Sequence, residues 1–362
     1  MCVSLAVVRS LAHPRALRTT AELEDFQQEL IDQYALALAA AGLTDRHVAD
    51  GQAAILDVVR FVDRPVWTIG SEDADRYLLS LRRDRHLAHS TVQGRAWTLA
   101  RFFEFLLSRY QGDIHALTGC VVVQPIDEFN RPAKADYGVA RVPPREDEVD
   151  ALFAAWRASL PEARKFLPAA RDYLAASLWR RVGLRINETS MLDIGDWRND
   201  FGDLGKLHVR FGKGSAGRGP KTRLVPGINA VDDLLEWWMT DVRHQFGDDW
   251  EDPSAPLLPS ERHDRVTHRC GRVGTDALRA GLATAVGRWL PDWSDRLTPH
   301  VLRHHCASTM YLRGMDLKSI GDLLGHQWLS TTSRYVHVHD GHIEASWAAA
   351  NGRVAARLIE ER

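Results

Sequence analysis

Long apolar runs are missing from this chain of 362 residues. No stretch approaches the roughly 20 residues needed to cross a bilayer, so no membrane span is expected. The short apolar run Leu5 to Val8 is cut by Arg9 and is too brief for the core of a secretion signal. An irregular or partly helical N-terminal arm is expected there instead. Cysteine is scarce too. Cys2, Cys120, Cys270 and Cys306 are scattered and form no CxxC pair. Neither a disulfide framework nor a zinc ribbon is therefore expected, and a reducing cytoplasm fits. Nor is there an excess of positive charge, since the net charge is −2. No internal repeat and no low-complexity tract interrupts the chain.

What is present is the composition of a globular protein, 45% apolar and 26% charged, with length enough for two domains. A near-neutral total leaves nucleic-acid binding open, because the electrostatic footprint on DNA is local. The basic residues do cluster. Arg82, Arg83, Arg85, Arg95, Arg101 and Arg109 face only Asp84 and Glu104 over one stretch. Lys206, Arg210, Lys213, Arg218, Lys221 and Arg223 form a second cluster without any acid. Either one alone reads more readily as a solvated face.

The N-terminal third has helical periodicity. Thr19 and Glu22 form a candidate capping box before an apolar-periodic run from Leu23 to Leu43. Further helices are predicted over about Ala53 to Val62 and Ala74 to Leu81, the latter started by Ser71. A fourth is capped by Ser90 or Thr91 and ends at Gly112 and Asp113. The stretch 121–144 loses periodicity and carries Pro125, Pro132, Pro143 and Pro144, as a linker does. Beyond it, helices are predicted over Glu146 to Arg157, Ala169 to Val182 and Val231 to Phe246. A β-hairpin is predicted over Lys206 to Val225, and only helices after the acidic loop Asp248 to Asp252.

The chemistry lies in the last third. In Thr298-Pro-His-Val-Leu-Arg-His-His305, Thr298 suits a helix N-cap and Pro299 the first helical position. His300, Arg303 and His304 then share a helix face. A metalloprotease site needs Glu directly after the first His, and Val301 stands there. The donors suit an anion at a helix N-terminus rather than a metal. His304 and His305 are read as structural. Further on, Gly325 is a helix stop followed by His326, and Tyr335 comes nine residues later.

His300-x-x-Arg303, Gly325-His326 and Tyr335 resemble the C-terminal signature of the tyrosine recombinase (phage integrase, Xer-like) family. Gly183-Leu-Arg-Ile-Asn-Glu188, with Leu192 and Asp196, resembles its first-arginine box. Phe211-Gly-Lys213-Gly with Lys221-Thr-Arg-Leu-Val-Pro226 is similar to its lysine-bearing hairpin. The match runs in family order from about Leu178 to His337. A looser likeness to the core-binding domain covers about Val59 to Tyr110.

The resemblance implies a mainly α fold with a small β-sheet or hairpin, in two domains: a helical core-binding domain and an integrase-like catalytic domain. The expected layout is an arm at 1–52, the core-binding domain at 53–120, a linker at 121–144, the catalytic domain at 145–340 and a C-terminal helix at 341–362. Tyr335 is then the nucleophile, giving a 3′-phosphotyrosyl link and a free 5′-hydroxyl. Arg185 and Arg303 clamp the phosphate in bidentate fashion. Lys213 protonates the 5′ oxygen, His300 handles the tyrosine proton or the phosphate, and His326 hydrogen-bonds a phosphate oxygen. Glu188 orients side chains nearby. Arg82, Arg83, Arg85, Arg95, Arg101, Lys221 and Arg223 are the candidate DNA contacts. No cofactor, metal or ATP is required.

The expected partner is double-stranded DNA, clamped between the domains. The free protein is expected to be a monomer or weak dimer, and a homo-tetramer forms on synapsed DNA, a partner recombinase being an open alternative. The expected location is cytoplasmic and nucleoid-associated. Ile343, Trp347, Ala350, Val354 and Leu358 lie at helical spacing, and that helix is expected to dock on a neighbouring protomer. Integration, transposition and dimer resolution stay open, as does a telomere-resolving relative. A type IB topoisomerase uses similar chemistry. A DNA-binding protein that has lost catalysis would show damage among the six catalytic candidates, and none is damaged. A metal-dependent nuclease would need clustered carboxylates over these motifs.

Overall fold

The computed structural model describes residues 16–133, 143–212, 219, 221–267 and 269–326. The chain divides into two units, one formed mostly by residues before Gly138 and the other mostly by residues after it.

The first unit is helical. Its elements are α1 (Thr20–Ala40), α2 (Asp45–Val62), α3 (Ser71–Arg83), α4 (His89–Arg109) and α5 (Gln111–Thr118). Thr19 and Glu22 form the capping box expected from sequence: the Thr19 hydroxyl accepts from the Glu22 N–H, and the Glu22 carboxylate accepts from the Thr19 N–H. Each helix turns an apolar stripe inward, so Leu30, Ile31, Ile55, Leu81, Phe102, Phe103 and Ile114 share one core. Burying each such side chain contributes about 1.5–3 kcal/mol. Two differences from the sequence reading stand out. The second helix begins at Asp45 rather than near Ala53, capped by the Thr44 side chain. Gly112 and Asp113 do not end the helical region but lie in α5, whose Ile114 and Leu117 are buried. The stretch 121–133, expected as linker, packs onto this unit: Val122 and Ile126 are buried and Gln124 donates to the Ala100 carbonyl.

The second unit is built around α7 (Phe166–Val182), buried on nearly every side. That pattern marks a central helix rather than a surface one. Around it pack α6 (Glu146–Ser159), α8 (Ile186–Ser190), α9 (Val231–Trp237), α10 (Thr275–Trp289) and α11 (Pro299–Leu312), and α12 (Leu317–Leu324) packs in turn on α11. Trp179 is fully buried, and its indole N–H donates to the Thr189 hydroxyl at 3.0 Å.

A three-stranded antiparallel sheet lies beside this core: β1 (Trp197–Arg198), β2 (Lys206–Gly212) and β3 (Lys221–Pro226). Strands β2 and β3 are the expected hairpin, paired with Leu207 opposite Val225 and Val209 opposite Arg223. A second hairpin, β4 (Pro259–His263) and β5 (Cys270–Arg272), stands where only loop and helix were expected. The predicted helix Val231 to Phe246 also breaks after Trp237 into a wide π turn and a tight 3-10 turn. That break seats the fully buried Arg243 against Asp249 at 2.9 Å and the Pro256 carbonyl at 3.0 Å.

Candidate active site

Thr298 and Pro299 start α11 as the sequence suggests, with the Thr298 hydroxyl accepting from the Val301 N–H at 3.3 Å. The helix carries Arg303 into the core, where it is 1% exposed. Helix α12 ends at Gly325, which takes the left-handed conformation (φ +67°) that glycine adopts without penalty. Its last carbonyls, those of Leu323 and Leu324, therefore project from the helix end and need donors. Arg303 Nη2 donates to Leu324 O at 2.6 Å, and Arg223 Nε donates to Leu323 O at 2.8 Å. Arg185 Nη1 reaches Leu324 O at 3.4 Å. Three guanidinium groups thus surround the negative end of α12, where cations are favoured.

Glu188 ties two of the three together. It is 2% exposed and accepts from Arg185 Nη1 at 2.6 Å, Arg223 Nη1 at 3.0 Å and Arg223 Nη2 at 2.8 Å. Its carboxylate also accepts from the Arg185 backbone N–H at 2.8 Å, which fixes the start of α8. Burial alone would push this carboxyl up, but the hydrogen bonds and charge of Arg223, then the charge of Arg185, hold it down at about 2. With three cations against one carboxylate, the cluster keeps two positive charges.

Helix α7 contributes its end as well. Gly183 has φ +64°, and a Cβ there would run into Leu324 while only touching Cys306 and Arg303. Its carbonyl accepts from Arg303 Nη1. Arg303 Nη2 also faces His326 Nε2 at 3.0 Å. An arginine can only donate, so Nε2 accepts and the ring proton sits on Nδ1. Burial, then the charges of Arg303, Arg185 and Arg223, push this imidazole down to about 3. His326 is thus neutral at ordinary pH.

His300 is exposed one turn before His304, their rings meeting edge to face at 4.6 Å. His305 is buried, and burial lowers its pKa. Lys213 and Tyr335 lie outside the described residues, as does the predicted C-terminal helix. The structure therefore brings together Arg185, Arg303 and His326 of the sequence candidates, on the scaffold of Glu188. A bidentate hold on phosphate by Arg303 would require its carbonyl partners to be exchanged. As built, its contribution is charge. Arg185 is the more open, with its side chain 27% exposed.

The expected DNA contacts divide. Arg82 and Arg83 are exposed in the last turn of α3, and Lys221 is exposed on β3. Arg85 is ion-paired with Asp57 at 2.9 Å, and Arg101 stacks on Trp97 at 5.0 Å. Arg95 is half-buried. Arg223 points inward, onto Glu188 and the end of α12, rather than outward. Sequence reading missed that role, although Arg223 stands in the hairpin motif that it quoted. On the other strand, Arg210 pairs with Asp193 and with Asp196 at 2.7 Å, and Arg272 of β5 joins Asp193 at 2.5 Å. Both strands of the hairpin are thereby anchored by arginine.

Among the described residues no group of three or more His, Cys, Asp or Glu is placed to hold a metal ion, and no helix is long and apolar enough to cross a membrane.

Residues 145–342 match the model of the phage integrase family. A tyrosine recombinase XerC of Herpetosiphon aurantiacus is 29% identical over 337 residues, covering 91% of this chain and 97% of the relative. Among solved structures, the XerH site-specific recombinase bound to a palindromic difH substrate aligns with a TM-score of 0.62 at 15% identity, over 93% of this chain and 98% of that one. A lambda integrase tetramer bound to a Holliday junction aligns at 0.59 and 18% identity, over 86% and 77%. At such identities the structural likeness is one of fold: mainly helical, with small sheets. With residues 145–342, more than half of its 362, matched to the family, this chain belongs to the phage integrase family.

Proposed function

We propose that this protein is a site-specific DNA recombinase that breaks and rejoins strands through a covalent bond between Tyr335 and a 3′ phosphate. The observation that carries the reading is the guanidinium cluster. Arg185 and Arg303 come from segments 118 positions apart in sequence, yet both donate to the Leu324 carbonyl beside neutral His326. A surplus of two positive charges in a partly buried site suits a phosphodiester, which gains negative charge in the transition state.

In the proposed reaction the Tyr335 oxygen bonds to phosphorus as the bond to the 5′ oxygen breaks. The tyrosine proton passes to His300 or to water, and Lys213 gives a proton to the departing 5′ oxygen. Rejoining reverses both transfers. The new phosphotyrosyl bond conserves the energy of the diester, so the chemistry calls for neither ATP nor a metal. Arg185 offers hydrogen bonds to the non-bridging oxygens, while Arg303 acts by charge and by orienting His326.

Residues 145–340 form the catalytic domain in this reading, and 53–120 form the core-binding domain, with Arg82, Arg83 and Lys221 as DNA contacts. Double-stranded DNA is the partner, with four protomers on two duplexes and residues 341–362 docking between neighbours. The compartment is the cytoplasm, at the nucleoid.

Covalent trapping tests the proposal. Purified protein is mixed, in EDTA, with nicked duplexes tiled across the DNA flanking its gene, and run on denaturing gels. The expected result is a protein–DNA band that disappears in Tyr335→Phe. A band that survives that substitution removes Tyr335 as the nucleophile.

A further inference from the structure

The proposed roles leave one largely covered cation of the cluster without a task. Arg223 sits on β3, its side chain 11% exposed, and donates both terminal nitrogens to Glu188 and its Nε to Leu323 O. Space there is tight: a Cβ on Gly325 would lie 3.1 Å from the Arg223 side chain. The guanidinium therefore cannot swing out to DNA without vacating a packed seat and leaving Glu188 short of partners.

Among the described residues, Glu188 is the carboxylate that Arg185, Arg223 and Arg303 share as an ion-pair partner. Its Oε1 is shared between Arg185 Nη1 at 2.6 Å and Arg223 Nη1 at 3.0 Å. A carboxylate facing Arg185 alone would cancel that arginine's charge. Facing Arg223 as well, it is already balanced, and the charge of Arg185 remains for an incoming anion. We infer that Arg223 is a positioning residue that neutralises Glu188, so that Arg185 and Arg303 keep their full field for the scissile phosphate. The fork geometry matters too, since it seats β3, and with it the hairpin leading to Lys213, against the end of α12. The inference rests on the recombinase reading above.

The test exploits charge. A methylphosphonate carries methyl in place of one non-bridging oxygen and so lacks the diester's negative charge. Single-turnover formation of covalent protein–DNA product is measured on a nicked duplex spanning the site mapped by trapping, with either a phosphodiester or a methylphosphonate at the scissile position. Arg223→Gln is expected to slow the phosphodiester by on the order of 10²-fold and the methylphosphonate by less than about tenfold. Damage to the scaffold alone would slow both equally, and that result overturns the inference, as does no slowing of either.

A second comparison holds even if Arg223→Gln alone does not fold. In the double variant Glu188→Gln/Arg223→Gln the carboxylate and its counter-charge are removed together and the surplus of two positive charges returns, so the phosphodiester-to-methylphosphonate ratio should lie within about twofold of that of the unsubstituted protein. A fall in that ratio as large as the one expected with Glu188 present would overturn the inference. Tyr335→Phe separates the two claims: product that persists in it brings down the recombinase reading, and this inference with it. Loss of product in Tyr335→Phe with an unchanged ratio in Arg223→Gln brings down the inference alone.

Discussion

The Arg303 guanidinium donates to His326 Nε2 at 3.0 Å, joining the middle of α11 to the residue just past the end of α12. The same nitrogen also serves Leu324 O at 2.6 Å, so one side chain fixes both the helix end and the imidazole beyond it. Disturbing either partner should therefore be felt at the other.

That link makes stability pH-dependent in a defined direction. His326 falls from an ordinary 6.5 to about 3, so the folded state resists its protonation. Its contribution is full above pH 6.5 and is lost as pH falls from there towards 3. Melting temperatures taken across that window should decline, and His326→Gln should make the decline shallower. Buried His305 shifts the same way, so some slope will remain. An identical slope in the variant would show that His326 is not held neutral.

Arg303→Lys should fail as a conservative change. One ammonium cannot serve the Gly183 carbonyl, the Leu324 carbonyl and His326 in the planar geometry seen here. Leaving buried acceptors unsatisfied is expected to cost about 2–4 kcal/mol. Urea unfolding measures that cost. Covalent product should fall by on the order of 10²–10³-fold. A variant of full stability and activity would mean that the three acceptors are dispensable.

Two glycine-to-alanine changes separate crowding from backbone strain. Gly119 and Gly183 both have positive φ, but only a Cβ at Gly183 meets neighbours, chiefly Leu324. Gly119→Ala should cost about 1–2 kcal/mol through strain alone. Gly183→Ala should cost more, on the order of 3 kcal/mol, and should also reduce cleavage by displacing the carbonyl that receives Arg185 and Arg303. Equal costs in denaturant titrations would show that α12 moves aside freely.

Much of this arrangement is legible in the sequence, for reasons of range. The Thr298–Pro299 cap, the Thr19–Glu22 box and the Arg185–Glu188 turn each join residues within one helical turn, where spacing dictates contact. The Lys206–Pro226 hairpin announces itself by alternation and a glycine-rich turn. The inward seat of Arg223 does not, because its partners Glu188 and Leu323 lie 35 and 100 residues away. An arginine in a basic run looks the same whether it faces solvent or a buried carboxylate. The second hairpin escaped for another reason: Glu261, Arg262 and His263 are exposed and polar, so β4 lacks an apolar alternation. Helix α5 escaped because a glycine at its start reads like the end of the helix before it.

The guanidinium cluster draws on residues near 185, 223, 303 and 324, which are neighbours only once α7, α8, α11, α12 and the hairpin have all come to rest. No fragment of the chain carries it. Competence to cut is thus a property of the finished fold, and a nascent or partly melted chain would lack the cluster. For a DNA recombinase, that is a safeguard built from tertiary structure.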